Sequence, residues 1–314
     1  MDNNQRVYEC DLHCHTDRSD GNASVKEVID LASERGVKVL AITDHDVRPA
    51  TFLEDGNQKI DIREYGKEKQ VLVIPGIEIS CDTQVEDVHI VGLGCDWNAP
   101  FFTELETETI KSKVNSYREL VRQLNQSGIE IDWDELLYNE GQPIQPEMLQ
   151  KKKIFEMIAR KGYVPTWQDA KLMVKRSKKY NVMREKPDPF YVIHNIHQTG
   201  GVAILAHPYL FSVPVIREGK VLERSDYIEA LIKQGLDGIE ASYTYDKTSY
   251  EGERSKKELE DEIRKKYERK VRFISGGSDY HADERKGVKN PRMIGECGIS
   301  LAYFNEYIKP FISE

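Results

Sequence analysis

Asp11-Leu12-His13-Cys14-His15-Thr16-Asp17-Arg18-Ser19-Asp20-Gly21 lies between a short apolar-alternating run and a capped helix, on the loop where a strand gives way to a helix. In α/β enzymes such loops carry the chemistry. Residues i and i+2 of an extended segment share a face, so the rings of His13 and His15 point one way and Cys14 points away. Two imidazoles on one side suit a metal ion, and Asp20 follows close behind them.

Outward from this stretch the chain alternates strands and helices. Ser24-Val25-Lys26-Glu27 is a capping-box sequence that opens a helix with Val25, Val28, Ile29 and Ala32 on one face, and Gly36 stops it. Val37 to Thr43 reads as a second strand ending in Thr43-Asp44-His45-Asp46. A weaker helical stretch leads to Val71-Leu72-Val73-Ile74, Pro75-Gly76 predicts a turn into Ile77-Glu78-Ile79-Ser80, and Val88 to Leu93 is a fourth strand. From residue 100 to 189 the pattern is helical, with an apolar stripe from Leu105 to Leu124 that Ser127-Gly128 ends. Strands resume at Gly201 to Pro208, Gly238 to Ala241 and Val271 to Ser275, the last running into Gly276-Gly277-Ser278-Asp279-Tyr280-His281. The expected organisation is an α/β barrel built from residues 1–99 and 190–314, with a helical insertion, 100–189, covering the active site.

With 314 residues the chain can bury a large core, and 39% apolar with 32% charged residues is the composition of a polar globular protein. No apolar run reaches 18 residues, which argues against a membrane span, and no targeting segment is apparent, so the expected location is cytoplasmic. A net charge of −9 argues against long duplex nucleic acid and anionic membranes. The five cysteines are widely spaced with no C-x-x-C pattern, as expected of reduced thiols rather than a thiolate metal site.

The remaining acids and histidines fall into place on this map. His13, His15 and Asp20 follow the first strand, His45 the second and Glu78 the third; His89 lies in the fourth; His207 follows the first strand after the insertion, and Asp279 and His281 follow the last. In a parallel barrel those strand ends converge on one mouth. Six imidazoles and three carboxylates exceed the needs of one ion and imply two or three divalent metals. The donor set lacks thiolate and suits Mn²⁺, Fe²⁺ or Zn²⁺ better than Mg²⁺. Asp44, beside His45, is expected to orient a ligand imidazole. His194 and His197 sit on a helical stretch away from any strand end and are expected to play helix or core roles.

The fragments His13-Cys14-His15, Thr43-Asp44-His45, Gly76-Ile77-Glu78, His89-Ile90-Val91-Gly92, Ala206-His207-Pro208 and Ser278-Asp279-Tyr280-His281 together resemble the polymerase-and-histidinol-phosphatase (PHP) family of metal-dependent phosphoesterases. The resemblance implies a distorted, TIM-like (β/α)7 barrel and a trinuclear metal site. In it His13 and His15 hold the first metal with Asp279. Glu78 bridges to a second, bound by His89 and His207, and Asp20, His45 and His281 take the third. The implied reaction is attack of a metal-bound hydroxide on phosphorus, with Asp279 or His207 as candidate proton donors to the leaving group.

The insertion most resembles the nucleotide-directed branch of that family. This implies a small phosphorylated substrate of nucleotide type, either AMP or a 3′,5′-bisphosphonucleotide. A 5′-to-3′ exonuclease on short oligonucleotides and a histidinol-phosphate-type phosphatase are the alternatives. Where the branch carries an arginine near the start of a cap helix, this chain has Lys151-Lys152-Lys153, which lack the bidentate fork. Arg184, Lys186 and Arg292 are further candidate phosphate partners, and Tyr163, Trp167, Tyr209 and Phe211 are candidates for stacking a base. Two other classes fit less well. A catalytically dead PHP module would lack ligands that are all present here, and a C–N hydrolase barrel would use a lysine bridge where Glu78 stands. Oligomeric state is not legible in the sequence.

Overall fold

The computed structural model describes residues 7–56, 58–139, 141–180, 182–217 and 219–312. They form two compact units, divided at 106/107 and 186/187. The first unit is built on a seven-stranded sheet: β1 (Cys10–Asp11), β2 (Val39–Ile42), β3 (Leu72–Cys81), β4 (Val88–Leu93), β5 (Val202–Leu205), β6 (Gly238–Ser242) and β7 (Phe273–Gly276). Spatial order follows chain order. β1, β2 and β3 pair in parallel, as do β5, β6 and β7.

β4 runs antiparallel to both its neighbours, so the expected all-parallel barrel is corrected at this strand. Only residues 82–87 separate β3 from β4, too few for a crossover helix, and a hairpin is what so short a connection permits. The reversal puts His89, near the start of β4, beside Ser80 near the end of β3. A second correction concerns Pro75-Gly76, which makes no turn. β3 passes straight through it, pairing with β2 up to Pro75 and with β4 from Gly76 onward. A Cβ on Gly76 would lie 2.6 Å from Leu93 Cδ2, so this glycine answers to packing. The weak helical stretch before β3 is a hairpin, Phe52–Asp55 with Gln58–Asp61, followed by a short helix.

The barrel closes between β7 and β1 through loops rather than a ladder. Leu12 N donates to Gly276 O at 3.1 Å, Asp279 N to His13 O at 2.8 Å and His15 N to Tyr280 O at 2.9 Å. Asp11 ties the seam by accepting from Ser278 N and Gly295 N at 2.9 and 2.8 Å. Gly277 permits the approach, since a Cβ there would lie 2.3 Å from His13 Cβ.

Alternate residues of the strands pack into one buried cluster, among them Leu12, Val39, Ala41, Ile74, Val91, Val202, Ile204 and Phe273, joined by Phe304 and Ile308. Polar residues continue the same faces: His89 precedes Val91 of that cluster by two, and Glu240 follows by two Gly238, against which the Phe273 ring of the cluster packs. An apolar plug therefore underlies the polar cluster. The opposite faces, with Ile77, Ile79, Ile90, Leu205, Ile239 and Ile274, pack in a separate buried cluster with helical residues such as Val192, Ile196 and Ile263.

α1 (Val25–Glu34) has the expected capping box, with Glu27 Oε2 accepting from Ser24 N at 2.7 Å, and buries Val25, Val28, Ile29 and Ala32. Gly36 beyond it has φ +81°. The second unit is helical, with the long α2 (Pro100–Gln126) continuing into it, then α3 (Lys151–Arg160) and α4 (Trp167–Arg176) around Leu120, Leu124, Ile154, Ile158 and Val174. Phe101, Phe102 and Leu105 pack instead in the first unit's core, so the division falls inside α2 and not at its first residue. No described helix is long and apolar enough to cross a membrane.

Candidate metal centre

The zippered loops after β1 and β7 bring the first donors together. His13 and His15 face inward, while Cys14 between them is fully buried on the other side with its thiol 3.1 Å from Ala41 O. His45 extends the pairing of β2, its backbone bridging to Glu78 in β3. His207 and Asp279 hold φ values of +27° and +52°, a left-handed backbone that non-glycine residues adopt at a cost of order 1–3 kcal/mol. Such strain persists where surrounding bonds over-determine it.

Glu78 is the hub. Its Oε1 lies 2.9 Å from His89 Nδ1 and 2.9 Å from His207 Nε2. Its Oε2 lies 3.1 Å from His13 Nε2, 3.2 Å from His15 Nε2 and 3.2 Å from His45 Nδ1. Asp279 Oδ1 is 3.4 Å from His13 Nε2 and 3.0 Å from His15 Nε2. Asp20 Oδ1 is 3.0 Å from His281 Nε2 and 3.8 Å from His15 Nδ1. All nine residues expected to bind metal thus belong to one contiguous cluster.

Their grouping differs from the expectation in three respects. Three sets of donor atoms lie mutually within 4.8 Å: His13, His15, Glu78 and Asp279; His15, Asp20, His45 and His281; and His45, Glu78 and His89. His15 therefore faces two sets, one through each ring nitrogen, and His45 joins Glu78 as well as Asp20. His207 reaches the centre through Glu78.

The cluster has the signature of a cation site. Glu78 Oε2, His15 Nδ1, His45 Nδ1 and His207 Nδ1 are buried without a hydrogen-bond partner among the described residues, and a buried orphan of this kind costs about 1–3 kcal/mol. Nε2 of His13 and Nε2 of His15 face each other at 3.2 Å, an arrangement that a shared cation relieves. Without one, protons do that work. Burial lowers the affinity of His13 for a proton, but Glu78, Glu240 and Asp279 outweigh it and hold its pKa well above the usual range. His15 is raised to about 9 against its burial by Asp279 and Glu78, whereas burial takes His45 down to about 4. Despite burial, the neighbouring imidazoles keep Glu78 well below the ordinary carboxylate range. The residues fit divalent cations.

Around the donors stand residues that sequence reasoning missed. Glu240 of β6 lies 3.2 Å from His13 Nδ1. Tyr243 donates its hydroxyl to Asp279 Oδ2 at 2.7 Å. A cavity of about 400 Å³ opens beside Glu78, His89, His207 and Asp279, with Lys247 and Lys286 also at its wall. The missed residues had no motif to mark them; Glu240 was visible only as an acid between the apolar Ile239 and Ala241.

Several expected roles are corrected. Asp44 does not orient an imidazole: Oδ1 accepts from Thr16 N at 2.8 Å and Ser19 Oγ at 2.7 Å, and Oδ2 from Thr16 Oγ1 at 2.7 Å, so it holds the loop that carries Asp20. Arg292 lines the cavity, but NH1 donates to Asp279 Oδ2 at 2.6 Å and Nε to Asp283 at 2.7 Å, which commits its fork to carboxylates. With burial opposing, His281, His13 and the other partners hold Asp279 well below the usual range, so it is ionised and poorly suited to donate a proton. Tyr209 and Phe211 are buried core rings, unavailable to a base.

The other candidates belong to the helical unit or are structural. Lys152 pairs with Glu156 at 3.2 Å and lies over the Trp167 ring, Lys153 donates to Tyr138 O at 3.2 Å, and Lys151 heads α3 with them. The Tyr163 hydroxyl accepts from Glu130 N at 2.9 Å. Arg184 and Lys186 are half-buried at the end of that unit. His197 bonds Asp237 at 2.7 Å and His194 is exposed on its helix (Pro189–Gln198), the plain roles expected of them.

Residues 11–186 match the family model described as the PHP domain. That range ends before His207, Asp279 and His281, which their places after strands also marked in the sequence, and before Glu240, which geometry alone adds to the cluster. A 5′-3′ exoribonuclease from Haemophilus influenzae is 30% identical over 204 residues, covering 65% of this chain and 70% of the relative. A phosphoribosyl 1,2-cyclic phosphate 1,2-diphosphodiesterase from Eggerthella lenta is 30% identical over 280 residues, covering 86% and 93%. A 3′,5′-nucleoside bisphosphate phosphatase from Chromobacterium violaceum is 25% identical over 288 residues, covering 88% of each chain.

Proposed function

The chain belongs to the PHP domain family, and from that premise we propose that it is a metal-dependent phosphoesterase that hydrolyses phosphate esters of small nucleotides, of AMP or 3′,5′-bisphosphonucleotide type. The observation that carries the reading is the orphaned Oε2 of Glu78 facing three imidazole nitrogens at 3.1–3.2 Å. The residues that would hold two or three divalent ions (Mn, Fe or Zn) are His13, His15, Asp20, His45, Glu78, His89, His207, Asp279 and His281. Such ions supply Lewis acidity toward phosphoryl oxygens and a lowered pKa for water.

The chain's own residues do the positioning. Tyr243 and Arg292 occupy Oδ2 of Asp279 and leave Oδ1 to face His13 and His15. Asp44 fixes the Thr16–Ser19 loop, and through it Asp20. Lys286, at the cavity wall, donates to Asp20 O at 3.0 Å and adds positive charge where an anionic substrate enters. His207 is the remaining candidate for moving a proton to the leaving oxygen.

Each of the three relatives is named for chemistry at a ribose or nucleotide phosphate, which supports that substrate class. The exoribonuclease supports a second reading, 5′-to-3′ removal of nucleotides from short oligomers. A screen with Mn²⁺ across AMP, a 3′,5′-bisphosphonucleotide, a ribose cyclic phosphate, histidinol phosphate and a short oligonucleotide separates them. Rapid turnover of the mononucleotides is expected, with loss of at least 100-fold in His45→Ala and Asp279→Asn. Full activity in both variants overturns the site, and turnover of the oligonucleotide alone overturns the substrate class.

A further inference from the structure

Glu240 is a buried carboxylate whose ion-pair partner is the imidazole of His13. It sits mid-strand in β6, 2% exposed, between Ile239 and Ala241 of the outer core. No lysine or arginine pairs with it among the described residues. Its contacts are with the metal centre's own donors. Oε1 and Oε2 lie 3.2 and 3.4 Å from His13 Nδ1, and Oε2 accepts from His207 N at 2.8 Å.

We propose that Glu240 is a positioning residue that sets the tautomer of His13 and the backbone of His207, so that both rings present Nε2 to the centre. Both ring nitrogens of His13 face carboxylates, but a cation held beside Glu78 and Asp279 would take the Nε2 side, and Glu240 would then keep the ring's one proton on Nδ1. His13 is thereby fixed as the Nδ1–H form, which leaves Nε2 bare toward Glu78, His15 and Asp279. The same carboxylate bonds the amide of His207 at its φ of +27°, holding the strained turn that aims Nε2 at Glu78 Oε1, 2.9 Å away. One buried acid thus organises two imidazoles that enter the site from different strands.

Glutamine has one acceptor oxygen where the carboxylate has two. In Glu240→Gln the side-chain amide faces one of two N–H groups donor to donor, and the relief available is to flip His13 to the Nε2–H form, which blocks its metal-facing atom. Partners of this kind change metal affinity by about 10- to 100-fold when removed.

The inference rests on the proposed metal centre, and its test is Zn²⁺ binding by chelator competition, read alongside unfolding of the chelator-treated proteins. Glu240→Gln is expected to bind at least tenfold more weakly than wild type, and Glu240→Asp, which keeps the charge, to recover part of the loss. Asp237→Asn is the control, since it removes a buried acid from His197 outside the centre; it is expected to lose stability and keep its affinity. A folded Glu240→Gln with wild-type affinity overturns the inference while leaving the centre intact. Absence of binding by wild type removes both. Should Glu240→Gln fail to fold, histidine-selective ¹⁵N spectra of zinc-loaded wild type decide: a proton on Nδ1 of His13 supports the assignment, and a proton on Nε2 overturns it.

Discussion

At the scale of single residues, donors and their supports differ in how they show themselves. That His13, His15, Asp20, His45, Glu78, His89, His207, Asp279 and His281 gather was legible because each falls at a recognisable place beside a strand, and their joint position is unlike chance. Glu240, Tyr243 and Asp11 were not, because an isolated acid or tyrosine in an apolar run has no local pattern and gains its meaning only from partners more than 200 positions away, or from the loop after β7. Asp44 was noticed for the wrong partner. Its three hydrogen bonds to Thr16 and Ser19 give a test. Asp44→Ala leaves buried donors unmet, at about 1–3 kcal/mol, and releases the loop bearing Asp20. The expected outcome is a metal count by elemental analysis lower by one, with Asp44→Asn close to wild type because the hydroxyls of Thr16 and Ser19 can turn to accept from the amide. A full complement in the alanine variant counts against this role.

At the scale of elements, the helices were the easier part: α1 was readable to its cap, because its capping box and terminal glycine are local chemistry. The errors lay where pairing overrides local signals. Pro75-Gly76 looks like a turn, yet it is the point at which β3 exchanges a parallel partner for an antiparallel one. The hairpin at 52–61 carries alternation too weak to separate from a helix. The seam between β7 and β1 is the element on which the centre depends, and Gly277 is a tight point in it, where a Cβ would also lie 2.6 Å from His13 N. Relief requires backbone movement, so Gly277→Ala is expected to cost about 3 kcal/mol, seen as a lower denaturant midpoint with unchanged slope, and to weaken metal binding by displacing His13. Unchanged stability and binding would show that the seam has slack.

At the scale of the whole molecule, the barrel converts sequence separation into contact. His13 and Asp279 stand at opposite ends of the chain, and the closing loops set them 3.4 Å apart. The order of acids and histidines along the chain foretold that they gather, whereas no spacing rule marks which lysines and arginines would meet a substrate. The apolar plug beneath the cluster keeps the donors close together beside the cavity, where divalent cations are proposed to sit. The account stands or falls on whether those cations are needed for turnover. The direct measurement is hydrolysis of a 3′,5′-bisphosphonucleotide and bound metal, determined on the same samples as a chelator strips the protein and Mn²⁺ restores it. Turnover is expected to fall with occupancy to below about 1% and to return on reloading; full turnover from protein carrying no metal would contradict the account.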